Sequence, residues 1–183
     1  MGWDCEQFYP HDLPEDWRLE YYANYFSALL VPSSQWPEWD EADWTDFLDR
    51  SDTLRWIGFG FKAAPDDSQA ARLHEVLTEI AARGQAVGLF SHEPLPDELL
   101  QWPVTWFDRA DGRGQWRWRQ LSGAPAGWLD ALPAEARAQR QILEAFAASL
   151  PQDRNGAPFI VKQGCANMQA LTQFKRLTEL LGL

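Results

Sequence analysis

The sequence predicts an α/β fold in which a parallel sheet is covered by crossover helices. Short apolar runs alternate with amphipathic helical segments between residues 14 and 108, which is the pattern of successive βα units. The chain has 183 residues, enough to bury a sizeable core, and it contains no tandem repeat or low-complexity tract. We therefore expect residues 1–183 to form a single domain.

The first third of the chain predicts two helices and two strands. The first helix starts at Pro14, because Glu15 and Asp16 then lie at the positive end of the helix dipole. The second strand contains Gly58 and Gly60, which we expect to let another backbone come close. The four elements are a helix over residues 14–26, a strand over 27–31, a short helix over 40–48 and a strand over 55–64.

The middle of the chain gives the clearest helix prediction. An apolar stripe runs from Leu73 to Ile80, caps precede it, and Gly84 ends the helix. His74 lies beside this stripe, so we interpret it as a packing residue. The elements are a helix over residues 66–83, a strand over 85–91, a brief helix over 96–102 and a strand over 104–108.

The last part of the chain is less regular. Residues 115–121 alternate Trp and Arg, which predicts either an antiparallel hairpin with 104–108 or a second parallel strand whose linking helix has been lost. A helix over residues 134–150 and a strand over 158–163 follow. A terminal helix begins after Asn167, which caps it.

The excess of negative over positive charge is confined to the first third of the sequence. Residues 1–67 carry 15 acidic and 4 basic side chains, the remainder carries 12 of each, and the formal net charge is −11. An acidic surface repels phosphate backbones, so we expect no nucleic-acid partner. This face serves solubility, or it docks a basic protein partner.

Composition also bounds the compartment and the cofactors. No apolar run approaches the roughly 20 residues that cross a bilayer, and the N-terminus lacks a signal-peptide pattern. Cys5 and Cys165 have no zinc-site spacing. We therefore expect a cytoplasmic protein with reduced thiols, no membrane contact, no metal and no cofactor.

The aromatic-rich N-terminal stretch carries motifs of a known family. It holds Gly2-Trp3, then Phe8-Tyr9-Pro10, then a Leu-x-Tyr-Tyr-x-x-x-Phe pattern over residues 19–26, and Phe-Gly-Phe-Lys-Ala follows at 59–63. These motifs resemble those of the YecE-like family, also called domain of unknown function 72. The resemblance implies a TIM-barrel-like fold, in a family whose activity is not established at large.

The chain departs from the family pattern where polar residues are expected inside the barrel mouth. The family's Val-Glu-x-Asn strand is similar to Ala-Leu-Leu-Val at residues 28–31, and its Arg-x-His-Gly to Gln-Leu-Ser-Gly at 120–123. Its final Asn-Asn pair corresponds to Lys162-Gln163 or to Gln163-Gly164. The resemblance therefore implies a short, divergent member with a mostly apolar or neutral interior.

Length adds a second departure. Complete barrels typically have about 250 residues and eight strands, whereas we count about seven strands here. We expect one βα unit to be missing between Trp102 and Gln115, which leaves an incomplete or distorted TIM-barrel-like fold.

Three polar residues lie at or near the carboxyl ends of predicted strands, on the side where barrel enzymes place their active sites. They are Lys62, His92 and Asp108. A lysine with a lowered pKa beside an acid could perform proton transfer or Schiff-base chemistry. The alternative interpretation is that Lys62 pairs with an acidic neighbour at the rim and that His92 is an ordinary loop residue.

Four further residues are candidates for ligand binding: Tyr9, Trp36, Trp118 and Gln163. Aromatic faces bind sugar rings by apolar contact, and Trp118 could hold a neighbouring arginine by a cation–π contact. The alternative is that large aromatic residues fill the space left by a missing barrel element.

Two functions follow from these observations. The first is a non-catalytic or residual barrel that acts in binding or protein interaction, with a homodimer covering the open sheet edge. The alternative is a small metal-independent hydrolase or lyase that acts on a sugar or another small metabolite through Lys62, His92 and Asp108. The enzyme requires these three side chains to converge on one pocket.

Overall fold

A computed structural model of the chain describes residues 8–106, 126–150, 157–161 and 168–182. Within these ranges the strands form one four-stranded sheet, in the order β1-β2-β3-β4, and one two-stranded sheet of β5 and β6. Every strand pair is parallel. The strands are β1 Ala28–Val31, β2 Trp56–Phe61, β3 Ala86–Ser91, β4 Val104–Trp106, β5 Gly127–Leu129 and β6 Phe159–Val161.

The helices are α1 Arg18–Ala23, α2 Glu41–Arg50, α3 Asp67–Ala82, α4 Asp97–Leu100, α5 Ala136–Ser149 and α6 Met168–Leu181, with 3-10 turns at Glu15–Trp17 and Trp36–Glu38. Helices α2 to α5 connect successive parallel strands, as βα units require, whereas α1 precedes β1 and α6 follows β6. The predicted α/β class with a parallel sheet is confirmed, and the incomplete or distorted TIM-barrel-like fold stays a prediction.

Local capping explains why two of the helices begin where they do. Asp40 accepts hydrogen bonds from the backbone N–H groups of Ala42 and Asp43, at 2.8 and 3.0 Å, and the Asp43 carboxylate accepts one from the Asp40 N–H. Asp66 and Gln69 form the same reciprocal pair at the start of α3. These capping boxes satisfy N–H groups that the first turn of a helix leaves unpaired.

The first two helices differ from their predicted bounds, and one observed strand is not predicted. The helix over 14–26 is divided into a 3-10 turn and the short α1, which ends at Ala23. Asn24 caps it, and its side-chain amide donates to the Glu20 carbonyl at 3.1 Å. The helix over 40–48 continues to Arg50. The sequence pattern does not predict β5, because Gly127–Leu129 is only three residues long and gives no detectable alternation. Residues 115–121 lie outside the described ranges.

One face of the four-stranded sheet packs against the helices. In register, Leu29 lies beside Ile57, which lies beside Val87, and all three are buried. The stripe predicted on α3 is buried against this face. Apolar residues of α2 are buried there too, as their spacing predicts; they are Trp44, Phe47 and Leu48. We call this layer the helix-side core.

Tyr22 on α1 ties this core to the first strand. Its hydroxyl donates to the Ala28 carbonyl at 2.9 Å, and burial raises its pKa. A raised pKa means that the folded state holds the proton more tightly than the unfolded state, whose tyrosine titrates near a pH of about 10. The contribution of the protonated Tyr22 hydroxyl to the free energy of unfolding is therefore complete below a pH of about 10, and it is lost as the pH rises above that value.

We expect Tyr22→Phe to cost about 1 kcal/mol at neutral pH, because it removes one net hydrogen bond. We also expect the variant to lose stability less steeply than the wild type at alkaline pH. Urea unfolding of both proteins at neutral pH and at a pH of about 11 measures this difference. Equal losses in the two proteins would contradict the assignment of this titration to Tyr22.

Candidate functional site

Two candidate residues follow adjacent strands at the carboxyl-terminal edge of the four-stranded sheet. Strands β2 and β3 end at Phe61 and Ser91, which are register partners. Lys62 and His92 follow directly, so they leave the same edge of the sheet from adjacent strands, and both are exposed. Parallel α/β sheets bind their ligands at this edge, so polar side chains here are candidates for ligand binding.

The loop after β3 is held by its own hydrogen bonds. The Ser91 hydroxyl is buried, donates to the Glu93 carbonyl at 2.7 Å and accepts from the Glu93 N–H at 3.1 Å. This short turn satisfies the serine locally. Ser91 therefore holds the loop that carries His92, and its hydroxyl is occupied by the backbone.

Three residues of the predicted site fall outside the described part of the chain. They are Asp108, Trp118 and Gln163. The convergence of Lys62, His92 and Asp108 on one pocket therefore stays a prediction. The same holds for the missing βα unit, since residues 107–125 are not described.

Trp36 lies in the helix-side core. Only 3% of its surface is exposed, and its indole N–H donates to the Gly60 carbonyl at 3.1 Å. Its ring meets the Phe61 ring edge to face, with centroids 5.3 Å apart. These contacts occupy the ring and the polar edge of the indole within the protein.

Tyr9 belongs to an aromatic group around α1. It is buried, and its ring contacts those of Phe8 and Tyr21 with centroids 5.0 and 5.7 Å apart. The guanidinium carbon of Arg18 stands 5.4 Å from the Tyr9 ring centroid, within cation–π range. The Tyr9 ring thus already holds a cation from its own chain.

The second face of the four-stranded sheet, opposite the helix-side core, is also filled by apolar side chains. We call this group the inner cluster, and it includes residues of both sheets. Its members are the buried Trp56, Phe90 and Ala126 with the partly buried Ala28, Leu30, Trp128 and Ile160. The inner face of a parallel barrel carries the side chains that fill its interior.

Trp56 lies across two strands at the centre of the inner cluster. An alanine Cβ at Gly58, on the same strand, would lie 2.7 Å from Cζ3 of the indole. At Gly88, the register partner of Gly58 on β3, it would lie 2.6 Å from Cζ2. The tryptophan is almost wholly buried, with 7% of its surface exposed. The two glycines thus form the space that the indole occupies.

The sequence predicts that Gly58 and Gly60 let another backbone come close, and this expectation is wrong for Gly58. At Gly58 the neighbour is a side chain rather than another backbone, because the indole of Trp56 folds over it. At Gly60 an added Cβ would meet the Val31 carbonyl oxygen at 3.6 Å, so there the expected backbone contact is present. Gly58 and Gly60 both lie on β2, but only Gly58 makes room for the Trp56 indole.

His74 links α3 to the segment after α4. Its Nδ1 accepts from the Trp102 indole N–H at 3.1 Å and lies 3.2 Å from the Gln101 amide nitrogen. An indole N–H can only donate, so Nδ1 is the acceptor in this contact. This arrangement agrees with the interpretation of His74 as a packing residue.

No protein-family model, curated protein sequence or solved structure matches this chain. The resemblance to the YecE-like family therefore stays a prediction. Within the described ranges, no helix is long and apolar enough to cross a bilayer. The same part of the chain contains no group of three His, Cys, Asp or Glu side chains arranged to hold a metal ion.

Sequence reasoning missed Trp56, although a signal was present. Trp56 and Gly58 are two residues apart and so share a strand face, and Gly88 lies in the middle of the next predicted strand. Without the register of β2 and β3, nothing in the sequence pairs the two glycines. A tryptophan that shares a strand face with one glycine and lies beside a second glycine on the next strand is the signal that could have identified the role of Trp56.

Proposed function

We propose that this protein is a non-catalytic binding or interaction protein, built on a short, divergent YecE-like barrel and acting in the cytoplasm. One observation carries the proposal: Trp56 occupies the inner face of the sheet. Trp56 is the first residue of β2, so its indole fills the amino-terminal half of this interior, below the carboxyl end where barrel enzymes bind their substrates. A substrate bound beside Gly58 or Gly88 would have to displace a buried indole.

The acidic first third supports a basic protein as the partner. Among the described residues, four arginines make ion pairs with acids of this region, which still keeps a large negative excess. The pairs are Arg18 with Glu15, Arg50 with Asp16, Glu20 and Asp46, Arg72 with Glu41, and Arg83 with Asp49. Such a surface attracts a cationic protein and repels nucleic acid.

A second copy of the chain is the other partner that we propose. β1 and β4 lie at the two ends of the order of the four-stranded sheet. A barrel that lacks one βα unit would leave a seam, and an isologous dimer could cover it.

A small hydrolase or lyase is the second candidate function. It is favoured by the register of Phe61 with Ser91, since Lys62 and His92 are the residues that follow these two paired strand ends. The reaction would use these two residues with Asp108 as proton carriers or as a nucleophile, on a sugar or another small metabolite.

A paired assay separates the two functions. The wild type and the double variant Lys62→Ala/His92→Ala are incubated with a panel of aryl glycosides, esters and hydroxy acids. We expect no turnover that differs between the two proteins, since an interaction protein makes no catalytic use of either side chain. The matched control is Arg55→Ala/His11→Ala, which removes one cation and one imidazole at exposed positions elsewhere.

Turnover by the wild type and by the control, with loss in Lys62→Ala/His92→Ala, would overturn the non-catalytic proposal. It would establish the enzyme in its place.

A further inference from the structure

We propose that the exposed side of α1 and its flanking turns is a docking surface for an arginine-rich segment of a partner protein. This inference rests on the proposed function and names the surface and the chemistry of its basic partner. It depends on a row of three aromatic residues of which the first and last are exposed, on the charge around this row, and on how the same region already holds guanidinium groups.

The aromatic row consists of Trp17, Tyr21 and Tyr25. These residues are four positions apart, so they lie on one side of the helical segment. Trp17 is 57% exposed and Tyr25 is 39% exposed, which places both among the exposed large apolar side chains. Exposed aromatic side chains that lie together mark interaction sites, and tryptophan and tyrosine are enriched in such sites.

The two tyrosines of the row are held in place from beneath. The Phe8 ring contacts the rings of Tyr21 and Tyr25 edge to face, with centroids 5.4 and 5.2 Å apart. The two tyrosine rings are 5.1 Å apart, and their hydroxyls lie 3.2 Å from each other. This hydrogen bond is the main cause of the raised pKa of Tyr21. Rings fixed in this way lose little freedom on binding a partner.

The charge around the aromatic row selects a cationic partner. Residues 8–26 contain four acidic side chains and one basic side chain. Glu15, Asp16 and Glu20 are all exposed beside the row. Carboxylates at the rim of an aromatic surface attract a basic segment and orient its side chains.

The same region already binds guanidinium groups of its own chain. Arg18 stands over the Tyr9 ring, as described above. Arg50 reaches across from α2, donates to the Asp16 carbonyl and lies 3.4 Å from the Glu20 carboxylate. Aromatic faces and carboxylates are thus both arranged here for guanidinium.

Arginine fits this surface better than lysine does. Its planar guanidinium stacks on an aromatic ring and donates a fork of hydrogen bonds to a carboxylate at the same time. A lysine ammonium supplies charge alone and is more strongly hydrated. A partner selected only by charge would not distinguish the two, so this preference tests the aromatic row.

The experiment uses the full chain and two synthetic peptides of equal length and charge, one with arginine and glycine and one with lysine and glycine. Calorimetric titration measures the dissociation constant of each. We expect the arginine peptide to bind several-fold more tightly. We expect Trp17→Ala/Tyr25→Ala to weaken it about tenfold, because two cation–π contacts are lost at unchanged net charge.

The matched control is Leu100→Ala/Leu180→Ala, which removes two exposed large apolar side chains elsewhere and should leave binding unchanged. Equal affinity for the two peptides, or equal effects of the two double variants, would overturn the proposal. The comparison of peptides on the wild type needs no variant, so it holds even if a variant is unstable.

Two other outcomes are distinguished by the same proteins. Self-association that is abolished by Trp17→Ala/Tyr25→Ala would show that a second copy occupies this surface, which overturns the proposal. Turnover that depends on Lys62 and His92 would overturn the non-catalytic function, but it would leave the peptide result unchanged. The failure of one is therefore distinguishable from the failure of the other.

Discussion

Replacing Trp56 with alanine should lower the free energy of unfolding by about 3–5 kcal/mol. The indole is almost wholly buried and lies against Gly58 and Gly88, neither of which has a side chain that could fill the space. Its ring contacts the Phe90 ring edge to face, with centroids 5.7 Å apart. The variant thus loses both the buried apolar surface and the packing of its neighbours.

Urea unfolding followed by circular dichroism measures this loss, and Trp17→Ala is the matched control. Trp17 is the same residue type but is mainly exposed, so its replacement should change stability by less than about 0.5 kcal/mol. Equal effects of the two substitutions would contradict the packing role of Trp56. One feature of Trp56 lowers its contribution: its indole N–H has no hydrogen-bond partner among the described residues.

Replacing Gly58 with alanine should cost about 3 kcal/mol, at the upper end of the range for overpacking a core. The new Cβ would lie 2.7 Å from Cζ3 of the Trp56 indole, a distance at which one of the two groups has to move. Gly58 does not have a positive φ, so the cost comes from the clash and not from the backbone. Unfolding free energies of the variant and the wild type measure it.

Gly60→Ala is the control for this prediction. Gly60 lies on the same strand and the same face, and its Cβ would make an ordinary contact with the Val31 carbonyl. We expect a change of less than about 1 kcal/mol in either direction, because alanine restricts the unfolded chain while it adds little strain. A loss at Gly60 as large as the loss at Gly58 would point to a general cost of alanine in β2.

Much of the fold could be predicted because its signals are local. The stripe from Leu73 to Ile80 needs only the helical period, and Asp66 and Gln69 show the start of α3 in four consecutive residues. The strands β1 and β3 are likewise recognised locally, because each is a short apolar run. Strand β5 has neither length nor alternation, so its position depends on pairing with β6.

The candidate site was harder to predict because it depends on register and on tertiary contacts. The adjacency of Lys62 and His92 follows from the pairing of Phe61 with Ser91, which no local pattern specifies. Trp36 is a residue type that often stacks on sugars, yet its indole N–H donates to the Gly60 carbonyl on β2. A single sequence does not separate an exposed aromatic residue from one in the core when both follow a turn.

A double-mutant cycle between positions 56 and 58 tests most directly whether Trp56 fills the inner face. The four proteins are the wild type, Gly58→Ala, Trp56→Leu and the double variant, where leucine keeps an apolar side chain without the rings. We predict that Gly58→Ala costs about 3 kcal/mol in the wild type and less than about 1 kcal/mol when Trp56→Leu is also present. Costs that simply add would contradict the account, because the indole would then not lie over Gly58.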